Sequence, residues 1–199
     1  MPTDEYGALI RVLGVGGLRF GEAAALTRDR VDVLRRRLMV RETLTETEGH
    51  LLGTATKTYQ ARAVPLPPSL AEQLGTHLEV SVGPQPDAPL FRAPQGGNLR
   101  YGAFYRRRWI PTLGLLHFPP VGLHVLRHSA AARMIQAGAS PKAVQAILGH
   151  RSAAFTLTDH GHLFDADLDE LAARLDSCGP NVAPSLSVLE TTDRDALSQ

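Results

Sequence analysis

The sequence predicts a mainly α-helical protein with a small antiparallel β-sheet, an α+β fold. Several segments place apolar residues three or four positions apart and carry helix-capping residues, whereas one segment alternates short apolar runs with turn residues. The 199 residues are 43% hydrophobic, which is enough to bury one sizeable core. We therefore expect one domain over residues 1–176. Residues 177–199 are rich in Ser, Pro, Thr and Asp without periodicity, which is typical of a disordered tail.

Helix signals recur along the chain. Thr3 can cap a first helix that ends at Gly16 and Gly17. Residues 67–69 contain two prolines and a serine and open a helix with a leucine stripe. Ser140 and Pro141 form a capped start for a helix that Gly149 ends. Further helices are predicted over residues 22–26, 101–110, 124–137 and 165–175, the third of them closed by Gly138.

The sheet is predicted between the first two groups of helices. Apolar residues alternate with arginines over residues 31–40, and further short apolar runs follow at 51–52 and 63–66. The polar pairs at 48–49 and 59–60 separate these runs. This pattern predicts about three antiparallel strands, with Lys57 at or near the turn into the third. A lysine on a hairpin turn can reach into a groove without disturbing the core.

Charge is divided along the chain although the total is only +1. Residues 1–150 hold 18 Lys and Arg against 11 Asp and Glu, whereas residues 151–199 hold 3 against 9. The basic body suits a polyanionic partner, although the arginine runs 35–37 and 106–108 would ordinarily be solvated surface. The lone Cys178 excludes an internal disulfide framework, and no apolar run is long enough to span a membrane. We expect a soluble, cytoplasmic protein.

Four stretches carry most of the chemistry-bearing residues: GGLRFGE (16–22), TKTYQARAVPLP (56–67), HVLRHSAAARM (124–134) and LGHRSAAFTLTDHGHLF (148–164). In order and spacing they resemble the catalytic domain of the tyrosine recombinases, the phage integrase family, over roughly residues 5–175. The resemblance implies the DNA breaking-rejoining enzyme fold, duplex DNA as partner, no cofactor and no metal. It also implies a function in DNA integration and recombination.

The residues themselves suit a phosphodiester. An arginine holds phosphate through two parallel hydrogen bonds and stays charged, so Arg19 and Arg127 are candidate phosphate ligands. His124 precedes Arg127 by three positions and would share a helix face with it. The resemblance implies the remaining roles: Lys57 protonates the 5′ oxygen, His124 assists proton transfer, His150 donates to a non-bridging oxygen, and Glu22 supports the site.

The nucleophile position departs from the family pattern. The tyrosine that forms the covalent 3′ intermediate is expected nine or ten positions after the histidine of LGH, and His160 stands there. An imidazole can attack phosphorus, but the histidine side chain is shorter than tyrosine by roughly 2 Å, and a misplacement of about 1 Å can cost about 100-fold in rate. None of the four tyrosines follows His124. We expect a domain that binds DNA and has lost or nearly lost strand cleavage.

The amino end is a second departure. Relatives usually place a core-binding domain before the catalytic one, and the sequence begins only a few residues before the catalytic domain. We expect this amino-terminal domain to be absent and DNA binding to be weaker in consequence. Other recombinase subunits are possible partners, since relatives dock the segment after the nucleophile on a neighbour. Residues 165–175 are suited either to this docking or to an intramolecular core helix.

Two other functions use some of the same residues. A metal-dependent hydrolase would use His124, His128 and His150, with His160 and His162 to complete the site, but Val125 stands where the helical zinc motif needs a glutamate. A type IB topoisomerase-like enzyme would share the arginine and lysine chemistry. It needs the same tyrosine, so His160 counts equally against it.

Overall fold

A computed structural model describes residues 5–47, 49–55 and 61–150 of the chain. These residues all belong to the first of the two units into which the chain divides, residues 1–164. Lys57, His160, the predicted helix at 165–175, and the predicted tail and its boundary after residue 176 lie outside the described residues.

Two helices begin the described chain and supply one wall of the core. Helix α1 (Glu5–Gly14) buries an apolar stripe that includes Leu9 and Val12, as its spacing predicts. The chain then reverses at Gly17, whose φ of 70° is the left-handed conformation that glycine adopts without strain. Helix α2 (Phe20–Ala24) follows at once. The reversal places the amino end of α2 beside the end of α1.

In the described residues the β structure consists of two small sheets rather than the single three-stranded sheet predicted. Strands β1 (Val31–Asp32), β2 (Arg37–Val40) and β5 (Arg62–Pro65) form one antiparallel sheet in the order β1-β2-β5. Strands β3 (Glu42–Thr47) and β4 (His50–Ala55) form a separate antiparallel hairpin. The apolar run over 31–40 divides into two strands because the chain turns between them, where Arg36 has a φ of 52°.

The middle of the chain is helical, as predicted. Helix α3 (Pro68–Val80) has proline in its first turn and buries the predicted leucine stripe. Helices α4 (Tyr101–Phe104) and α5 (Ile110–Leu115) are joined by a π-helical turn, Tyr105–Trp109. This turn places Trp109 in the core and leaves the three arginines 106–108 exposed.

The last two described helices form a pair with its own small apolar cluster. Helix α6 (His124–Gln136) ends before Gly138, which has a φ of 83°, and helix α7 (Pro141–Leu148) ends at Gly149, which has a φ of 67°. The Ser140 hydroxyl caps α7 by accepting a hydrogen bond from the Ala143 N–H at 3.2 Å. The cluster between the two helices consists of Ala131, Ile135, Val144 and Leu148.

The main core draws on the first two helices, the three-stranded sheet and the middle helices. In the described part of the chain, no helix combines the length and apolar character that crossing a membrane requires.

Candidate phosphate-binding site

The candidate site begins at the amino end of α2. Arg19 is the residue that precedes the helix, and about half of its side chain is exposed. Glu22 lies in the first turn of α2, and its carboxylate is buried with 2% exposure. It accepts a hydrogen bond from the Arg19 N–H at 2.8 Å and another from Arg19 Nη1 at 3.1 Å. This pairing satisfies a helix-terminal N–H and fixes the direction of the Arg19 side chain.

Arg62 on β5 holds the same carboxylate from the other side. Its two terminal nitrogens donate to Oε1 and Oε2 of Glu22 at 2.9 and 2.7 Å. The third nitrogen, Nε, donates to the Ile147 carbonyl near the end of α7 at 2.8 Å. Sequence reasoning missed Arg62, because it lies in a short strand and its partners are 40 and 85 positions away. No local spacing signals contacts of that range.

The carboxyl of Glu22 is ionised in spite of its burial. Burial by itself would raise the pKa of Glu22, but the hydrogen bonds and positive charge of Arg62, with the contacts from Arg19, outweigh it and bring the pKa below the ordinary value of 4.5. Glu22 is therefore fixed between Arg19 and Arg62, and its supporting role in the site stays a prediction.

Arg127 on α6 is the most buried of the basic groups, at 4% exposure. Its Nη1 donates to the Gly17 carbonyl at 2.5 Å and its Nη2 to the Leu148 carbonyl at 2.7 Å. Arg127 therefore ties the reversal before α2 to the end of α7. Among the described residues no carboxylate forms an ion pair with it.

The burial of Arg127 has an electrostatic consequence. Desolvation lowers the pKa of Arg127 to about 9, and the positive charges of Arg19 and Arg62 act in the same direction. The negative charge of Glu22 opposes this shift. Arg127 stays protonated at neutral pH. Three guanidinium groups thus act on one carboxylate in this part of the described chain, a net charge of +2 that favours an anion.

The predicted histidines His124 and His150 lie at the ends of the helices that contact this cluster. His124 is the first residue of α6, one turn before Arg127, and its ring meets the His128 ring edge-on with centroids 4.9 Å apart. His150 follows Gly149, and its N–H donates to the Gln145 carbonyl at 3.1 Å. His124 is exposed and His150 half-buried. The structure thus brings Arg19, Glu22 and Arg127 together and places His124 and His150 on the helix ends that flank them.

The rival metal site has no support in the described part of the chain. Within it, His124, His128 and His150 do not form a group of three potential metal ligands, with each other or with Cys, Asp or Glu. His160 and His162 lie outside the described residues.

Comparison with known proteins identifies the same family as the sequence motifs. The phage integrase family profile matches residues 4–165. The integrase of Mycobacterium phage L5 is 30% identical over 154 residues, which cover 74% of this chain and 41% of that protein. The tyrosine recombinase XerC of Actinobacillus succinogenes is 31% identical over 166 residues, covering 79% of this chain and 50% of that protein. The chain spans about half the length of these curated relatives.

Solved structures confirm the fold. The XerA recombinase superposes with a TM-score of 0.64 at 26% identity, covering 87% of this chain and 58% of that one. The Tn1549 transposon integrase, in complex with circular intermediate DNA, reaches a TM-score of 0.69 at 24% identity and covers 89% of this chain and 61% of that one. The predicted mainly α fold of a tyrosine recombinase catalytic domain is correct, and the chain belongs to the phage integrase family.

Proposed function

We propose that this chain is the catalytic-domain part of a site-specific DNA recombinase or integrase that binds duplex DNA and holds a scissile phosphate. We further propose that its strand cleavage is impaired, because His160 takes the place of the tyrosine nucleophile. The observation that carries the proposal is the pairing of Arg19 and Arg62 with the buried carboxylate of Glu22. Arg127 lies near enough for the charges of all three residues to act on its pKa.

The electrostatics of this cluster favour a phosphodiester. A buried guanidinium whose neighbours are mostly positive is stabilised when an anion approaches, and a phosphate oxygen can accept from arginine donors that the protein leaves unused. Each terminal nitrogen of Arg127 carries a second N–H beyond the one given to a backbone carbonyl. Arg19, with 47% of its side chain exposed, is the group best placed to meet the DNA backbone first.

The remaining roles follow the family resemblance. Lys57 protonates the 5′ oxygen, His124 assists proton transfer, and His150 donates to a non-bridging oxygen. These three residues would act on the oxygens of the phosphate that Arg19 and Arg127 hold. A histidine at position 160 is shorter than tyrosine by roughly 2 Å, and a nucleophile displaced by about 1 Å can lose about 100-fold in rate.

Duplex DNA and other recombinase subunits are the proposed partners, and the cytoplasm is the proposed location. Support comes from relatives that are named as recombinases or integrases and from the DNA-bound state of the Tn1549 integrase. The basic body of residues 1–150 supports the same partner.

A nicked suicide substrate tests the proposal, because it traps the covalent protein–DNA intermediate. We expect the natural chain to bind the substrate without forming an adduct that survives denaturation. The His160→Tyr variant should form that adduct. In its background, Arg19→Ala should reduce the rate of adduct formation by about 100-fold, because one charged donor to the phosphate is lost.

Two results would contradict the proposal. A denaturation-resistant adduct with the natural chain would show that cleavage is retained. In the His160→Tyr background, an adduct that forms at the same rate with and without Arg19 would show that the guanidinium cluster does not take part in cleavage. The exposed Arg35→Gln change, in the turn between β1 and β2, is the charge-matched control and should leave the rate unchanged.

A further inference from the structure

Arg62 uses all three of its guanidinium nitrogens within the protein. Two of them bind both oxygens of Glu22, and the third binds the carbonyl of Ile147. The side chain is only 10% exposed. Arg62 therefore connects parts of the protein, and Arg19 is the more solvent-exposed of the two arginines that bind Glu22.

The contacts of Arg62 join three parts of the site. Through Glu22 it determines the position of the carboxylate that binds the backbone and side chain of Arg19. Through Ile147 it holds the end of α7, which leads to His150. Arg62 also begins β5, five positions after Lys57.

The end of α7 is shaped around this guanidinium. A Cβ atom on Gly149 would lie 3.0 Å from Arg62 Nη1 and 3.1 Å from its Cζ, which is closer than ordinary van der Waals contact. Arg62 and Arg127 bind the adjacent carbonyls of Ile147 and Leu148. Two positive groups at a helix carboxyl end are favoured by the helix dipole, so this end of α7 depends on both arginines.

We propose that Arg62 is a positioning residue of the phosphate site: its bonds to Glu22 and Ile147 hold Arg19 and the His150 segment toward one phosphate. The inference rests on the proposed function. A lysine cannot replace Arg62 in this role, because one ammonium group cannot bind both carboxylate oxygens and a carbonyl in the fixed planar geometry of a guanidinium.

A double-mutant cycle with Arg19 tests the proposal. The affinity of the whole chain for a fluorescein-labelled duplex is measured for Arg62→Gln, Arg19→Ala and the double variant. We expect Arg19→Ala to weaken binding by about tenfold and Arg62→Gln by about fivefold. In the Arg19→Ala background, Arg62→Gln should cost only about twofold, because only the His150 segment is then left for Arg62 to position.

Further variants separate positioning from charge and from folding. Arg62→Lys keeps the charge and should weaken binding about as much as Arg62→Gln. Arg35→Gln removes a charge from an exposed turn, and its effect on affinity should be independent of the effect of Arg19→Ala. If Arg62→Gln does not fold, the Glu22→Gln/Arg62→Gln double variant removes both charges of that ion pair, and its effect on affinity should show the same dependence on Arg19. Thermal unfolding confirms that each variant is folded.

The outcomes are distinguishable. Losses from Arg62→Gln and Arg19→Ala that multiply independently in folded protein would overturn the positioning role and leave the proposed function intact. Full retention of affinity by Arg62→Lys would also overturn it, since charge alone would then suffice. Unchanged affinity in Arg19→Ala would overturn the phosphate site itself, and the role of Arg62 with it.

Discussion

Glu22 shows how a single buried residue can organise a basic site. Its carboxylate accepts four hydrogen bonds from Arg19 and Arg62, and it is ionised although it is almost completely buried. Removing one partner of such a buried pair leaves the other charge unpaired, which costs much more than an exposed ion pair is worth. Glu22 therefore contributes both to the fold and to the orientation of Arg19.

Glu22→Gln should lower the free energy of unfolding by about 3 kcal/mol at neutral pH. Because the folded pKa of Glu22 is below 4.5, the stabilisation from its ionised form is fully present above pH 4.5 and is lost as the pH falls through the lowered pKa. Urea unfolding of both proteins across this range measures the difference. This difference in the free energy of unfolding should shrink in acid.

Glu79→Gln, at an exposed position of α3, is the control and should change the stability by less than about 0.5 kcal/mol. A difference that is the same at every pH would show that Glu22 is not ionised in the folded protein.

At the scale of secondary-structure elements, α2 depends on its packing. A helix of five residues has almost no stability of its own, so its position is set by its neighbours. Gly21 lets α2 approach the backbone of β3: a Cβ atom there would collide with the Leu44 carbonyl oxygen and lie 2.7 Å from Thr43 Oγ1. This close approach determines where Arg19 and Glu22 lie.

Two glycine-to-alanine changes in helices should have opposite effects. Gly21→Ala should lower the free energy of unfolding by about 2 kcal/mol, because a backbone carbonyl cannot move aside cheaply. Gly75→Ala in α3 is the matched control. Its Cβ would make ordinary contact with Val33 Cγ1 at 3.5 Å, so helix propensity should raise the stability by about 0.5 kcal/mol. Chemical denaturation measures both. Equal effects at the two positions would contradict the packing of α2 on β3.

At the scale of the whole molecule, the formal charge of +1 hides a basic body. Residues 1–150 carry a net charge of +7, and the described part of this region contains the guanidinium cluster. Affinity for DNA depends on the charges that meet phosphates rather than on the total, because binding releases counterions from the DNA. A nearly neutral chain can therefore bind a polyanion strongly.

The logarithm of the duplex binding constant should fall linearly with the logarithm of the salt concentration. Arg19→Ala should make this slope shallower by about 1, the contribution of one phosphate contact. Arg35→Gln, at an exposed turn outside the site, should leave the slope unchanged. Fluorescence anisotropy over a series of salt concentrations measures all three slopes. An unchanged slope in Arg19→Ala would place Arg19 away from the DNA backbone.

Most of the described helices, although not α5, follow from the sequence, because caps, proline and glycine positions and apolar spacing act over a few residues. The sequence also identified the family and the candidate roles of Arg19, Glu22 and Arg127 through ordered motifs. The tertiary structure was needed to show that the described β segment forms two sheets, that Arg127 is buried against two carbonyls, and that Arg62 holds Glu22. These features depend on contacts between residues far apart in the chain, 110 positions in the case of Arg127 and Gly17, and local patterns carry no information at that range.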